Sequence, residues 1–338
     1  RVFGFCRGVK RALAMADRAV REHDGEGRII LLGEIIHNPW VNDYFRRRSV
    51  SILPHEEIFC VEAHLRQEDL AIIPAFGVPL DVKHHLAKIG CRTIDCSCGD
   101  VIRLWRWSER AVSEGFGVLI FGRATHDETV VTKSRLAAAG GKYLVVETLN
   151  QARKLAEDPT DERFRELFGP EQTNAPDLDP FGHLALVSQT TMLYSETVAV
   201  QQIVREAFTR RFGEDQAEQR LRMQPAVCKA TQNRQDAAVE LCSSGCDAVI
   251  VVGGFGSSNT RHLHALACQY APAWLIEDAT AITSPHELRA FAPETKTART
   301  ASDWLPEKRP LALGVLAGAS SPEVVIGDVL KRLAEFLQ

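Results

Sequence analysis

The sequence has no excess of positive charge: 40 Lys and Arg stand against 44 Asp and Glu in 338 residues, a net charge of -4. A nucleic-acid partner calls for a basic face, so small molecules or proteins are the expected partners and nucleic acid is not. Long apolar runs are also missing. The most apolar stretches, such as Val249-Ile250-Val251-Val252, fall far short of the roughly 20 residues of a membrane-spanning helix. No charged-then-apolar signal pattern appears, and the expectation is a cytoplasmic protein without a membrane partner. The chain begins with Arg1 rather than Met, so a few preceding residues are expected to be missing. Nine cysteines are an odd number, spread without the dense spacing of a secreted disulfide scaffold. Most buried free cysteines are small hydrophobes, which is the reading for Cys60, Cys91 and Cys268. Cys242 and Cys246 lack a second pair at metal-ligand spacing.

What is present is a hydrophobic share of 45%, enough for a large core in two or three domains. Three cysteines stand in one kind of place, where an apolar segment ends and a helical pattern begins. They are Cys6 in Gly4-Phe5-Cys6-Arg7-Gly8-Val9, Cys98 in Ile94-Asp95-Cys96-Ser97-Cys98-Gly99, and Cys228 in Pro225-Ala226-Val227-Cys228-Lys229. After Cys6, Val9, Ala12, Leu13, Ala16 and Val20 fall at helical spacing, which predicts an amphipathic helix over 6–23.

Short apolar runs at 28–33, 70–74, 117–122, 184–187, 248–252 and 311–316 read as buried strands. Helices are expected near 39–48, 100–114, 195–212 and 232–244. Cys6, Cys98 and Cys228 precede Gly33, Gly122 and Gly253 by 27, 24 and 25 residues. This shared register predicts an α/β fold of three pseudo-repeated α/β domains. The expected domains are 7–97, 98–215 and 216–338, the last completed by 1–6. Residues 157–183 are expected to form an exposed polar insertion, and 293–310 a loop.

Open α/β sheets carry functional groups at the carboxyl ends of their strands, so the three cysteines and the polar loops are expected to share one central cleft. Soft thiolates select an iron-sulfur cluster or zinc. Three cysteines without a fourth suit a site with one open position, where substrate can bind. Spacing alone does not decide between Cys96 and Cys98; Cys98 is preferred because it directly precedes a helix. The loops contribute His37, His126, Glu128, Thr190, Ser257, Ser258, Asn259 and Ser320, a donor-rich set suited to phosphate. Glu128 is the carboxylate placed to handle a proton, and the Thr190 hydroxyl can relay one.

These segments resemble the hydroxymethylbutenyl diphosphate reductase family, LytB/IspH, over nearly the whole chain. The matching stretches are Gly4 to Val9, His37-Asn38, Asp95 to Cys98, His126-Asp127-Glu128, Gln189-Thr190-Thr191, Cys228 to Thr231 with Asn233-Arg234-Gln235, Ser257-Ser258-Asn259 and Ala317-Gly318-Ala319-Ser320. The resemblance implies a trefoil-like arrangement of three α/β domains around a [4Fe-4S] cluster on Cys6, Cys98 and Cys228. It also implies two one-electron transfers from a ferredoxin- or flavodoxin-type donor and loss of an allylic hydroxyl as water. In the same way it implies Glu128 as the acid, assisted by Thr190 and His126, and a diphosphate held by His37, Ser257, Ser258, Asn259 and Ser320.

The sequence departs from the family pattern at Phe76, where the family carries a second diphosphate-binding His in an Ala-His-Gly loop. It departs again at Gly99 and Asp127, both usually Pro. Two enzymatic readings follow: the isoprenoid reductase with a weakened diphosphate clamp, or a paralogue that dehydroxylates another substrate. A non-catalytic iron-sulfur sensor is the third reading, against which Glu128 and Thr190 argue.

Overall fold

Helix α1 (Arg7–Arg21) starts directly after Cys6, whose sulfur accepts from the Val9 amide at 3.4 Å, and Arg18 and Arg21 in its last turn complement the helix dipole. Its buried stripe is Ala12, Ala16 and Ala19. The predicted Val9, Leu13 and Val20 flank that stripe and are only half-buried, because small residues let the helix lie closer to its support. This computed structural model describes residues 2–23, 26–224, 227–308 and 310–337. Pro225 and Ala226, counted in the run before Cys228, lie outside the described residues.

The chain divides into two units, Arg1–Leu53 with Lys229–Gln338, and Pro54–Cys228. In the first unit, α1 is followed by β1 (Ile29–Leu32), α2 (Pro39–Arg46) and β2 (Val50–Leu53), with β1 and β2 paired in parallel. The second unit runs α3 (Val61–His64), β3 (Leu70–Ile73), α4 (Leu80–Ile89), β4 (Arg92–Asp95), α5 (Gly99–Ser113), β5 (Gly117–Phe121) and α6 (Asp127–Ala138). It continues through β6 (Tyr143–Val146), α7 (Leu149–Glu157), α8 (Asp161–Leu167), β7 (Leu184–Ser188), α9 (Tyr194–Phe212), α10 (Glu214–Arg220) and β8 (Leu221–Met223). Strands β3 and β4 pair in parallel, and a four-stranded parallel sheet has the order β6-β5-β7-β8.

The chain then returns to the first unit with α11 (Lys229–Ser243), β9 (Ala248–Val252), α12 (Ser258–Ala267), β10 (Ala273–Ile276), β11 (Ile282–Ser284), β12 (Glu287–Ala292), β13 (Thr297–Ser302), β14 (Leu313–Ala317) and α13 (Glu323–Leu337). Here a parallel sheet β10-β9-β14 stands beside an antiparallel sheet β11-β12-β13. The chain is therefore a mixed α/β protein built on parallel sheets. Strands β1, β3, β5, β7 and β9 are buried along their whole length. That is why they read as unbroken apolar runs: helices cover both faces of parallel strands.

Three local expectations need correction. Residues 293–310 are not all loop, since β13 pairs residue for residue with β12; its side chains are mostly exposed, so an edge strand held by ladder hydrogen bonds leaves no hydrophobic pattern. Residues 157–183 are not a wholly exposed insertion. Thr160 caps α8, and Phe164, Phe168, Ala175 and Phe181 enter the core against β5 and β7. The segment before Cys98 is also not an apolar run: β4 is Arg-Thr-Ile-Asp, largely exposed, with Ile94 as its one aliphatic residue.

Candidate functional site

In the second unit, the carboxyl ends of β5 and β7 bring Glu128 and Thr190 together. Glu128 is the second residue of α6 and is only 3% exposed. The Thr190 amide donates to Glu128 Oε1 and the Thr190 hydroxyl to Oε2, both at 2.7 Å. Burial pushes the Glu128 carboxyl up to about 7, against the two Thr190 hydrogen bonds, and the charge of Asp100 adds to the rise. A carboxyl that titrates near neutrality, with a hydroxyl at hydrogen-bond distance, can hold a proton at physiological pH and release it.

Its neighbours fix the position of that acid. His126 is the N-cap of α6, and its Nδ1 accepts from the Glu128 amide at 3.3 Å. The accepting Nδ1 carries no proton, so any ring proton sits on Nε2. One turn on, the Thr132 hydroxyl donates to the Glu128 carbonyl oxygen at 2.7 Å and accepts from Trp105 Nε1 at 3.2 Å. Trp105 also closes on Gly77, the residue after Phe76. A Cβ at Gly77 would lie 2.5 Å from the indole, and its φ of 83° is itself a glycine conformation. Asp127 Oδ1 lies 3.1 Å from His55 Nδ1. Sequence reasoning missed Trp105, Thr132 and His55, because their relation to Glu128 is made only by tertiary contact.

Two of the predicted cysteines belong to the same unit. The Cys228 amide donates to the Thr190 carbonyl at 3.4 Å, which places this cysteine beside the acid's partner. The Cys98 amide donates to the Ala75 carbonyl at 2.7 Å, which ties the start of α5 to the loop that carries Phe76. Phe76 is half-buried. Cys96 is fully buried whereas Cys98 is partly exposed, a distinction that spacing could not make.

The first unit gathers the predicted anion-binding residues at the carboxyl ends of β1, β9 and β14. Ser257 caps α12 by accepting from the Thr260 amide at 3.3 Å, and Ser320 donates to the Ser257 oxygen at 3.3 Å. Ser258 and Asn259 are buried in the first turn of α12. Both polar atoms of the Asn259 amide are buried without a hydrogen-bond partner, an arrangement that a ligand or water normally satisfies. His37 lies against the glycine loop that leads to Ser257. A Cβ at Gly254 would meet the His37 carbonyl oxygen at 2.3 Å, and one at Gly256 would sit 3.4 Å from His37 Cβ. The His37 ring is held by Glu34, whose Oε2 lies 3.0 Å from Nδ1.

Cys6 joins this group through its amide, which donates to the Ala319 carbonyl at 3.1 Å, next to Ser320. Arg234, 5% exposed on α11, donates to the carbonyl of Gly4 at 2.5 Å and so holds the approach to Cys6. Gly318 packs on Thr260, where a Cβ would come within 2.1 Å of the Thr260 hydroxyl oxygen. A serine- and amide-lined loop cluster at a helix N-terminus is suited to an anion such as a phosphate.

The donor chemistry of the cysteines is compatible with an iron-sulfur cluster. Cys6, Cys98 and Cys228 are free thiols, each partly exposed and each directly before a helix. Among the described residues no three His, Cys, Asp or Glu side chains are grouped to hold a single metal ion. Thiolates that each bind a different iron of a cluster need not be so grouped. No helix among the described residues is long and apolar enough to cross a membrane.

A buried acid at a strand end in one unit and a donor-lined loop cluster at strand ends in the other mark an α/β protein with enzyme-like features in each. The family model described as LytB protein matches residues 1–334, and the chain belongs to the LytB family. It is 33% identical over 337 residues to a 4-hydroxy-3-methylbut-2-enyl diphosphate reductase of Thermosynechococcus vestitus, covering 98% of this chain and 82% of that one. It is 35% identical over 341 residues to the reductase of the same name from Cyanothece sp., with the same coverage. Among solved structures, it is similar to an (E)-4-hydroxy-3-methyl-but-2-enyl diphosphate reductase described as the terminal enzyme of the non-mevalonate pathway. That match has a TM-score of 0.59 and 25% identity, covering 98% of this chain and 96% of that one. The Plasmodium falciparum E-1-hydroxy-2-methyl-but-2-enyl-4-diphosphate reductase shares the fold, with a TM-score of 0.70 at 20% identity over 98% of this chain and 85% of that one.

Proposed function

We propose that this chain is a reductase that removes the allylic hydroxyl of 4-hydroxy-3-methylbut-2-enyl diphosphate to give isopentenyl and dimethylallyl diphosphate. The observation that carries the reading is the buried Glu128, held by Thr190 and titrating near 7; membership of the LytB family supplies the substrate class. In the overall change the C–O bond breaks and the hydroxyl leaves as water with one proton, while two electrons and a second proton complete the hydrocarbon product. Cys6, Cys98 and Cys228 would hold a [4Fe-4S] cluster, which when bound supplies a Lewis-acidic iron and a path for electrons. A ferredoxin- or flavodoxin-type carrier is the proposed electron donor, and the three-domain division at 97/98 and 215/216 belongs to the same reading.

The chain's own residues divide the remaining work. Glu128 holds a proton and gives it up as the hydroxyl leaves, with Thr190 keeping the carboxyl oriented and passing the proton across one hydrogen bond. His126 contributes an Nε2–H donor if its ring is neutral, because its Nδ1 is engaged with the Glu128 amide. Ser257, Ser258, Asn259, Ser320 and His37 hold the diphosphate, with the Asn259 Nδ2 donating to one of its oxygens. Phe76 favours a second reading, a paralogue acting on a different alcohol, since a half-buried aromatic ring cannot donate a hydrogen bond to phosphate.

The test is dithionite-driven turnover by anaerobically reconstituted protein. Glu128→Gln should reduce kcat by 100-fold or more while iron and sulfide content stay unchanged, in line with the roughly 10²–10⁴-fold contribution of general acids. A Glu128→Gln protein that turns over at the wild-type rate refutes the assignment.

A further inference from the structure

Glu34 is an acidic residue within a site read as anionic-ligand binding, and its carboxylate meets the ring of His37, 3.0 Å from Nδ1. A second acid stands nearby: Glu277 accepts from the Phe255 amide at 3.2 Å within the same glycine loop, and Glu34 adds to the electrostatic pressure on its charge. Two carboxylates beside a diphosphate site would repel the ligand unless one of them serves another purpose. The geometry points to such a purpose. An ionised carboxylate can only accept a hydrogen bond, so Nδ1 of His37 carries the proton. To donate to an anionic oxygen the ring then needs a proton on Nε2 as well, which makes it a cation. The Glu34 carboxylate is the counter-charge that favours this state.

We infer that Glu34 is a positioning residue for diphosphate binding: it orients His37 through Nδ1 and favours its doubly protonated ring, so that Nε2–H is given to the ligand. The inference rests on the reading of residues 257–259, His37 and Ser320 as the diphosphate site. It makes a counter-intuitive prediction about sign. If Glu34 acted only as a nearby negative charge, removing it would tighten anion binding; acting through His37, its removal weakens binding.

The test is calorimetric titration of inorganic diphosphate into the cluster-loaded protein. Glu34→Ala should weaken binding about tenfold, the lower end for losing the outer hydrogen-bond partner of a ligand-binding histidine at metal sites. Glu34→Gln keeps an acceptor for Nδ1–H and should recover part of the loss, with an unchanged melting temperature excluding misfolding. In a His37→Ala background, Glu34→Ala should cause no further loss, because the two residues act as one unit. In turnover assays Glu34→Ala should raise KM and leave kcat within about twofold.

Equal or tighter diphosphate binding by Glu34→Ala, alongside weakened binding by His37→Ala and Ser257→Ala, overturns the role of Glu34 and leaves the site intact. If wild type does not bind diphosphate, or His37→Ala and Ser257→Ala bind it as wild type does, the diphosphate site itself is refuted and the inference with it.

Discussion

Replacing Glu128 with Gln should make the protein more stable above neutral pH even as it stops turnover. The Gln side chain keeps both hydrogen-bond positions that face Thr190, accepting from the amide and donating to the hydroxyl oxygen. It removes only the cost of a buried charge. The Glu128 carboxyl titrates at about 7 in the folded chain against an ordinary 4.5. With the folded value raised, the folded chain binds the proton more tightly than the unfolded one. The associated stability is therefore complete below 4.5 and lost as pH rises to 7.

At about 1.4 kcal/mol for each unit of difference, the loss amounts to roughly 3 kcal/mol. Urea unfolding of both proteins at pH 5, 6, 7 and 8, with identical cluster content, should show the advantage of Glu128→Gln growing by about 1.4 kcal/mol per pH unit and levelling above pH 7. Other titrating groups are common to both proteins and cancel in the difference. A stability difference that does not change with pH would refute the claim that Glu128 is buried and protonated near neutrality.

Further outcomes follow from the same geometry. Cys98→Ser should lose cluster iron. Cys96→Ala should keep it and cost about 1 kcal/mol of stability, because Cys96 is sealed in the core; iron and sulfide analysis with electron paramagnetic resonance separates the two. Gly77→Ala should destabilise by 1–3 kcal/mol in a thermal melt, since a positive φ and a Cβ 2.5 Å from the Trp105 indole must both be accommodated. Phe76→His should tighten diphosphate binding with the cluster unaffected; no gain would count against Phe76 as the source of a weakened clamp.

The buried parallel strands were legible because nothing polar interrupts them: the strand expected at 248–252 is β9 itself. The starts of α1 and α5 were equally readable, whereas α11 begins at Lys229, three residues before the expected 232. Strand β13 was not readable, since an exposed edge strand of Thr, Arg and Ala has neither alternation nor an apolar run. The burial of Phe164 and Phe181 was hidden by the prolines and acids around them, which set the local composition without setting where the rings go.

For the candidate site, residue types and their place after strands singled out Glu128, Thr190, His37 and the serines. The partners that tune them were invisible. Glu34 reads in sequence as an ordinary loop acid, and Trp105 as a core aromatic on a helix; only tertiary structure sets one on His37 and the other on the Thr132 that holds Glu128.

The central claim, reductive loss of an allylic hydroxyl from a diphosphate, is tested most directly by product analysis. Anaerobically reconstituted protein should be reduced with dithionite, given 4-hydroxy-3-methylbut-2-enyl diphosphate and sampled by mass spectrometry. The account predicts both isopentenyl and dimethylallyl diphosphate, formed by wild type and not by Glu128→Gln. Unconsumed substrate in the presence of an intact, reducible cluster would contradict it.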